Sequence, residues 1–147
     1  MIAPKLVRLV QTHSEQLAQT LLRKLQSSPE LRDYRKVPPH EFKQRVYEIY
    51  RNLEDWLLTK TQEDIEHRYT EIGARRAAQA VPLSQLIWAI LAVKEHLWEF
   101  LNLEARTDRA MELFQEMELI QLADLFFDRA IYYAAMGYER ACLAKAA

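Results

Sequence analysis

The feature that most constrains this chain is its shortage of turn formers: two glycines and five prolines in 147 residues. Sandwiches, barrels and doubly wound sheets need many tight turns, and tight turns need glycine. Glycine-rich phosphate loops are excluded for the same reason. Half of the residues are hydrophobic and 28% are charged, a balance that supports a packed core rather than disorder. Helices are what remain. At this length the expectation is a single helical domain over residues 1–147.

Charge and cysteine usage narrow the setting. The formal net charge is −1 with a pI near 6.4, so nothing argues for nucleic acid or an anionic membrane surface as partner. Cys142 is the sole cysteine, which removes an internal disulfide framework and a cysteine-based metal site. A cytoplasmic location is the simplest expectation. The longest uncharged stretch, Ala77 to Val93, contains Gln79, Pro82, Ser84 and Gln85, and is too short and polar to span a membrane.

Proline positions and helical spacing predict five helices. The first runs from Pro4 to Gln26, with Leu6, Leu9, Val10, His13, Leu17 and Leu21 on one face. A linker from Glu30 to Val37 leads to the second, which Pro39 starts and which carries Phe42, Val46, Ile49, Tyr50, Leu53, Trp56 and Leu57. Thr61 and Asp64 have capping-box spacing and begin the third, whose inner face is Ile65, Tyr69, Ile72, Gly73 and Arg76. Ala80-Val81 breaks the chain before Pro82, and the fourth helix follows with Leu83, Leu86, Ile87, Ile90, Leu97 and Leu101. The fifth is long, from about Thr107 to Ala144. It is apolar on two sides: Leu113, Met117, Ile120, Asp124, Phe127, Ile131 and Tyr138 on one, and Leu119, Leu122, Phe126 and Tyr133 on the other. Two apolar sides predict either the central helix of a bundle or a bundle helix that also meets a partner; four preceding helices suffice to cover one side, which favours the second, with Leu119, Leu122, Phe126 and Tyr133 as the interface. Gly137, near the end of this helix, reads as a weak point able to flex.

Catalytic patterns find no support. No histidine has glutamate three residues before it, the His40-Glu41 pair lacks the second histidine of a zinc protease, and there is no nucleophile elbow. His67 and His96 are 29 residues apart in a chain of globin length, a separation suggestive of haem. Helical phase places both toward solvent instead, so no cofactor or metal is expected. More informative are polar residues at the centres of apolar faces: Arg76, Lys94, Asp124 and His13, with Tyr69 on the same face as Arg76. Buried charge needs a partner, so these residues are expected to meet in one polar cluster. Such a cluster is either an internal ion pair or a pocket whose surplus positive charge takes an anionic signal.

The stretch Arg68-Tyr-Thr-Glu-Ile-Gly-Ala-Arg-Arg-Ala-Ala-Gln-Ala-Val-Pro-Leu, continuing through Lys94 to Leu97-Trp98 and Leu101, carries a resemblance. It resembles the amino-terminal domain of RsbT co-antagonist (RsbRD-type) regulators, also found ahead of bacterial sensor kinases. The shared elements are Gly73, Arg76-Ala77, Val81-Pro82-Leu83, a basic residue at Lys94, and Leu97-Trp98. Where the family often has glycine before Val-Pro-Leu, this chain has Ala80. The resemblance implies a non-catalytic, helical, globin-like or bundle sensory domain that forms homodimers. It would feed a carboxy-terminal or separate output module. Two other readings stay open: a haem or small-ligand binding protein acting alone, and a helical adaptor that recruits a partner through exposed aromatic residues.

Overall fold

The computed structural model describes residues 3–104 and 110–146. Among them there is no β-strand, and the fold is all-α. Six α-helices follow in order: α1 (Pro4–Thr12), α2 (Ser14–Gln26), α3 (Pro39–Arg51), α4 (Gln62–Ala78), α5 (Leu83–Glu104) and α6 (Ala110–Ala146). A 3-10 segment, Pro29–Lys36, occupies the expected linker, and a π turn, Asp55–Thr59, closes the helix that α3 begins. The expected start of the last helix near Thr107 lies outside the described residues.

The predicted first helix is two helices. His13 leaves helical geometry at φ −99° and ψ 16°, and both its backbone N–H (3.0 Å) and its Nδ1 (2.9 Å) donate to the carbonyl of Leu9. A side chain that competes for a helix carbonyl bends the helix at that point. His13 is therefore the joint between α1 and α2, packed beside Phe100 of α5.

The third predicted helix matches α4 in detail. Thr61 Oγ1 accepts from the backbone N–H of Asp64, and Asp64 returns the bond to the N–H of Thr61 (2.9 Å), completing the capping box. Ile65, Tyr69, Ile72, Gly73 and Arg76 are its buried residues. The helix ends in a Schellman turn, with Val81 N–H donating to the carbonyl of Arg76 (3.1 Å) and Ala80 N–H to that of Ala77 (3.0 Å). The turn requires a left-handed residue, and Ala80 takes it at φ 58°. Val81 is fully buried, and its carbonyl accepts from the Tyr138 hydroxyl of α6 at 2.6 Å.

Helix α6 lies along α4 at backbone contact, and both glycines sit in that seam. A Cβ on Gly73 would overlap the carbonyl oxygen of Ala134 and lie 2.9 Å from the nitrogen of Tyr138. One on Gly137 would overlap the carbonyl oxygen of Thr70. The close approach expected at Gly73 is present. Gly137, expected to be a flexible point, is the reciprocal contact and is buried.

Around this seam the core contains an aromatic group. Phe126 of α6 lies 5.5 Å from Trp56, 5.8 Å from Tyr69 and 5.1 Å from Phe127, ring centroid to ring centroid. On the far side, Asp33 of the 3-10 segment and Gln85 of α5 exchange two hydrogen bonds of 3.0 and 2.8 Å, fixing that segment to α5.

Candidate functional site

The five polar residues expected to form one cluster are dispersed. Arg76, 2% exposed, reaches toward α3 and the 3-10 segment. Its Nε donates to the Tyr34 hydroxyl (3.0 Å), and one terminal nitrogen donates to Glu41 (2.8 Å) and to Gln79 (3.0 Å). Arg75 grips the same carboxylate at 3.1 and 3.4 Å, and the Gln79 amide adds bonds of 3.3 and 3.4 Å. Hydrogen bonds from Arg75 and Arg76, with their charges, hold the Glu41 carboxyl down at about 2 against the opposing effect of burial. Glu41, Arg75 and Arg76, with Arg45, Glu71 and Ile72, border a cleft of about 300 Å³. Glu41 escaped notice in the sequence because its position on α3 gives no sign of which helix will face it.

Lys94 and Asp124 do come together, but elsewhere, between α5 and α6. The ammonium stands 3.0 Å from Oδ1 of Asp124, and the two side chains are 26% and 40% exposed. That oxygen accepts no hydrogen bond, so the contact is an ion pair off hydrogen-bond direction. Lys94 also lies 5.9 Å over the ring of Trp98. The buried stripe of α5 is Leu86, Ala89, Ile90, Val93, His96, Leu97 and Leu101, rotated from the expected centre, which moves Lys94 to its flank. Tyr69 is buried in the aromatic group, where desolvation raises its pKa. His13 is the α1–α2 joint described above. No single polar pocket gathers the five.

The same rotation of α5 corrects His96. Expected toward solvent, it is buried at 6% exposure, with Nε2 donating to the carbonyl of Leu17 (3.1 Å) and Nδ1 facing the ammonium of Lys24 (3.1 Å). His67 is on the surface, as its phase predicted, 3.9 Å from Glu71. The two imidazoles share no cavity: His67 borders a polar cleft near the π turn, and His96 is held between α2 and α5.

The expected interface residues are also placed differently. Leu119, Phe126 and Tyr133 are buried within the chain, and Leu122 is half-buried against the same core. Their face of α6 is the one that α4 covers. Ala123, Ala130, Ala134 and Gly137 lie among them, and these small residues let the α4 backbone come in close. The outward side of α6 carries Phe114 (67% exposed), Leu125 (48%), Tyr132 (61%) and Leu143 (71%).

Arg76 with Glu41, Arg68 with Glu48 and Lys94 with Asp124 are thus charge pairs that join one helix to another. The family profile of the RsbT co-antagonist protein rsbRD N-terminal domain matches residues 15–147, and the chain belongs to that family. It is a family of regulatory domains in stress signalling. No curated protein and no solved structure matches the chain. No helix among the described residues is long and apolar enough to cross a membrane.

Proposed function

We propose that this chain is a cytoplasmic sensory domain that dimerises through α6 and relays a conformational change to an output module, in the same chain or a separate one. The observation that carries the reading is the outward stripe of α6. At 100° per residue Phe114, Leu125, Tyr132 and Leu143 fall within about 20° of one another. They run for about 44 Å along the helix, opposite the residues that α4 covers. Glu118, Gln121, Asp128 and Glu139 lie between them on the same side, so the four form separate apolar contact points about two to three turns apart along the 37-residue helix, available to a second copy of α6. Family membership supports the relay, since regulatory domains act by biasing a two-state element.

Haem binding is not favoured by the geometry: His67 points outward and both nitrogens of His96 are engaged inside the chain. The adaptor reading uses the same stripe for a different partner, and oligomeric state separates the two. In sedimentation equilibrium the chain is expected to be dimeric at micromolar concentration, and Leu125→Lys with Tyr132→Glu is expected to yield folded monomers. A wild-type chain that stays monomeric at high micromolar concentration would remove the dimer and leave the adaptor reading.

A further inference from the structure

His96 is a buried imidazole that no role discussed so far employs. Its Nε2 donates to the Leu17 carbonyl, so in the neutral ring Nδ1 is a bare acceptor, and Lys24 of α2 donates to it across the helix seam. Lys24 also bonds Glu99 of α5 at 2.9 Å. Three side chains therefore form a polar tie between α2 and α5. The Lys24 and Glu99 side chains are 50% and 64% exposed, so water reaches the outer end of the tie while the ring is covered.

Among the described residues, neighbouring elements supply no other hydrogen-bond partner for the ring. Tyr50 of α3 lies 6.4 Å away, ring to ring, and its hydroxyl donates to the Val93 carbonyl. Lys94 and Asp124, on the α6 side of α5, pair with each other. Asp33 of the 3-10 segment is bonded to Gln85, about three turns away along α5, and Arg76 of α4 is bonded to Glu41 and Tyr34. His13, at the α1–α2 joint, is turned to its own Leu9 carbonyl.

We propose that His96 is a proton-operated latch between α2 and α5: neutral, it holds Lys24 across the seam, and protonated, it releases Lys24 and pairs with Glu99 on its own helix. The proton arrives from solvent on Nδ1, the atom that now accepts from Lys24. Two cations then face each other at hydrogen-bond distance, and Lys24, being exposed, is the one free to leave. Glu99 stands one turn along α5 and becomes the acceptor for the new N–H. The tie from Lys24, at the end of α2, is exchanged for a contact within α5, while the Leu17 bond, about two turns earlier on α2, still joins the two helices. Burial, then the Lys24 charge, lower the His96 pKa from its ordinary 6.5, against the raising effects of the Leu17 bond and Glu99. Acid therefore opens the latch below the range in which a free imidazole titrates. The device does not depend on pairing through α6.

The test is a histidine-ring NMR titration of the intact chain from about pH 7.5 to about 5, the range in which histidine switches operate, with amide hydrogen exchange read at Leu21–Gln26. The wild-type ring is expected to remain the Nε2–H tautomer to below 6.5, and exchange at the end of α2, corrected for intrinsic rate, to accelerate as the ring protonates. Lys24→Met is expected to raise the His96 midpoint and abolish the acid-induced acceleration, because no lysine remains to be released. Glu99→Gln is expected to lower the midpoint further. Both side chains are largely exposed, so these variants keep the fold whether or not His96→Gln does. A midpoint indifferent to Lys24→Met, or α2 protection that stays constant while His96 titrates, would overturn the latch.

Discussion

The two glycines at the α4–α6 seam set up the sharpest test of the fold, because two physical effects predict opposite signs. In an exposed helix interior, glycine to alanine stabilises by about 1 kcal/mol through helix propensity. In this seam a Cβ on Gly73 would overlap the Ala134 carbonyl oxygen and stand 2.9 Å from both the Ala134 carbonyl carbon and the Tyr138 nitrogen. Those atoms are backbone in the middle of α6 and cannot rotate away, so the helices must part. A gap of roughly 0.5–1 Å forfeits a quarter to a half of each dispersion contact across it. The contacts at stake include the Tyr69–Phe126 ring pair at 5.8 Å, in the core that also holds Ile65, Phe127, Ala130 and Ala134. Overpacking costs about 1–3 kcal/mol, and a backbone collision belongs at the upper end. Setting about 3 kcal/mol against about 1 kcal/mol of propensity leaves a net loss near 2 kcal/mol.

Urea unfolding followed by circular dichroism measures this. Gly73→Ala and Gly137→Ala are each expected to lower the midpoint by about 1 M, with the slope unchanged. The double variant is expected to lose less than the sum, because the separation forced by one substitution already makes room for the other. Either single variant gaining stability would refute the backbone contact between α4 and α6.

Ala80, by contrast, is expected to gain from glycine. Its left-handed backbone costs alanine about 1–2 kcal/mol, and glycine gives back about 0.4–1 kcal/mol through the unfolded chain. Ala80→Gly should raise the thermal midpoint by about 2–4 °C, and an unchanged or lower midpoint in calorimetry would contradict the turn geometry. At Glu41 the folded carboxyl titrates at about 2 rather than 4.5, so its contribution to stability is present above pH 4.5 and is lost as pH falls toward 2. Glu41→Gln should flatten that acid limb and, by leaving the buried Arg76 charge without its counterion, cost about 3–5 kcal/mol at neutral pH. Acid unfolding curves that superimpose for the two proteins would count against the pair.

Much of this was legible in the sequence, and what was not shares one cause. Spacing specifies how a helix is rotated about its own axis, and for α4 it selected Ile65, Tyr69, Ile72, Gly73 and Arg76, all of them buried. It does not say which helix lies opposite. Arg76 is therefore legible as a buried residue while its partner Glu41 on α3 is not, and the pattern of Lys94 and Asp124 matches that of an arginine that faces another way. On α6 the large residues Leu119, Phe126 and Tyr133 were visible, but the alanines between them carry little hydrophobic weight. Those alanines and Gly137 decided which face α4 would take. On α5 the apolar positions are broad enough that a modest rotation moved His96 inward and Lys94 to the edge.

The distribution of these contacts says which parts of the bundle can move against each other. Helices α4 and α6 touch through backbone at both glycines, and Tyr138 of α6 holds the turn that ends α4. Any relative displacement there meets carbonyl oxygens at once, so the two helices behave as one body. Helix α5 meets α6 through side chains, with an ion pair in which the Asp124 oxygen still accepts no hydrogen bond. It meets α2 through the bonds of His96 to Lys24 and to the Leu17 carbonyl, the first of which is the proposed latch. Side-chain contacts of this kind shift by rotamer change and cost far less to remake than a backbone seam. On the relay proposed above, α5 is the element free to shift against the α4–α6 pair, and the Lys94–Asp124 contact is the link through which that shift would reach α6.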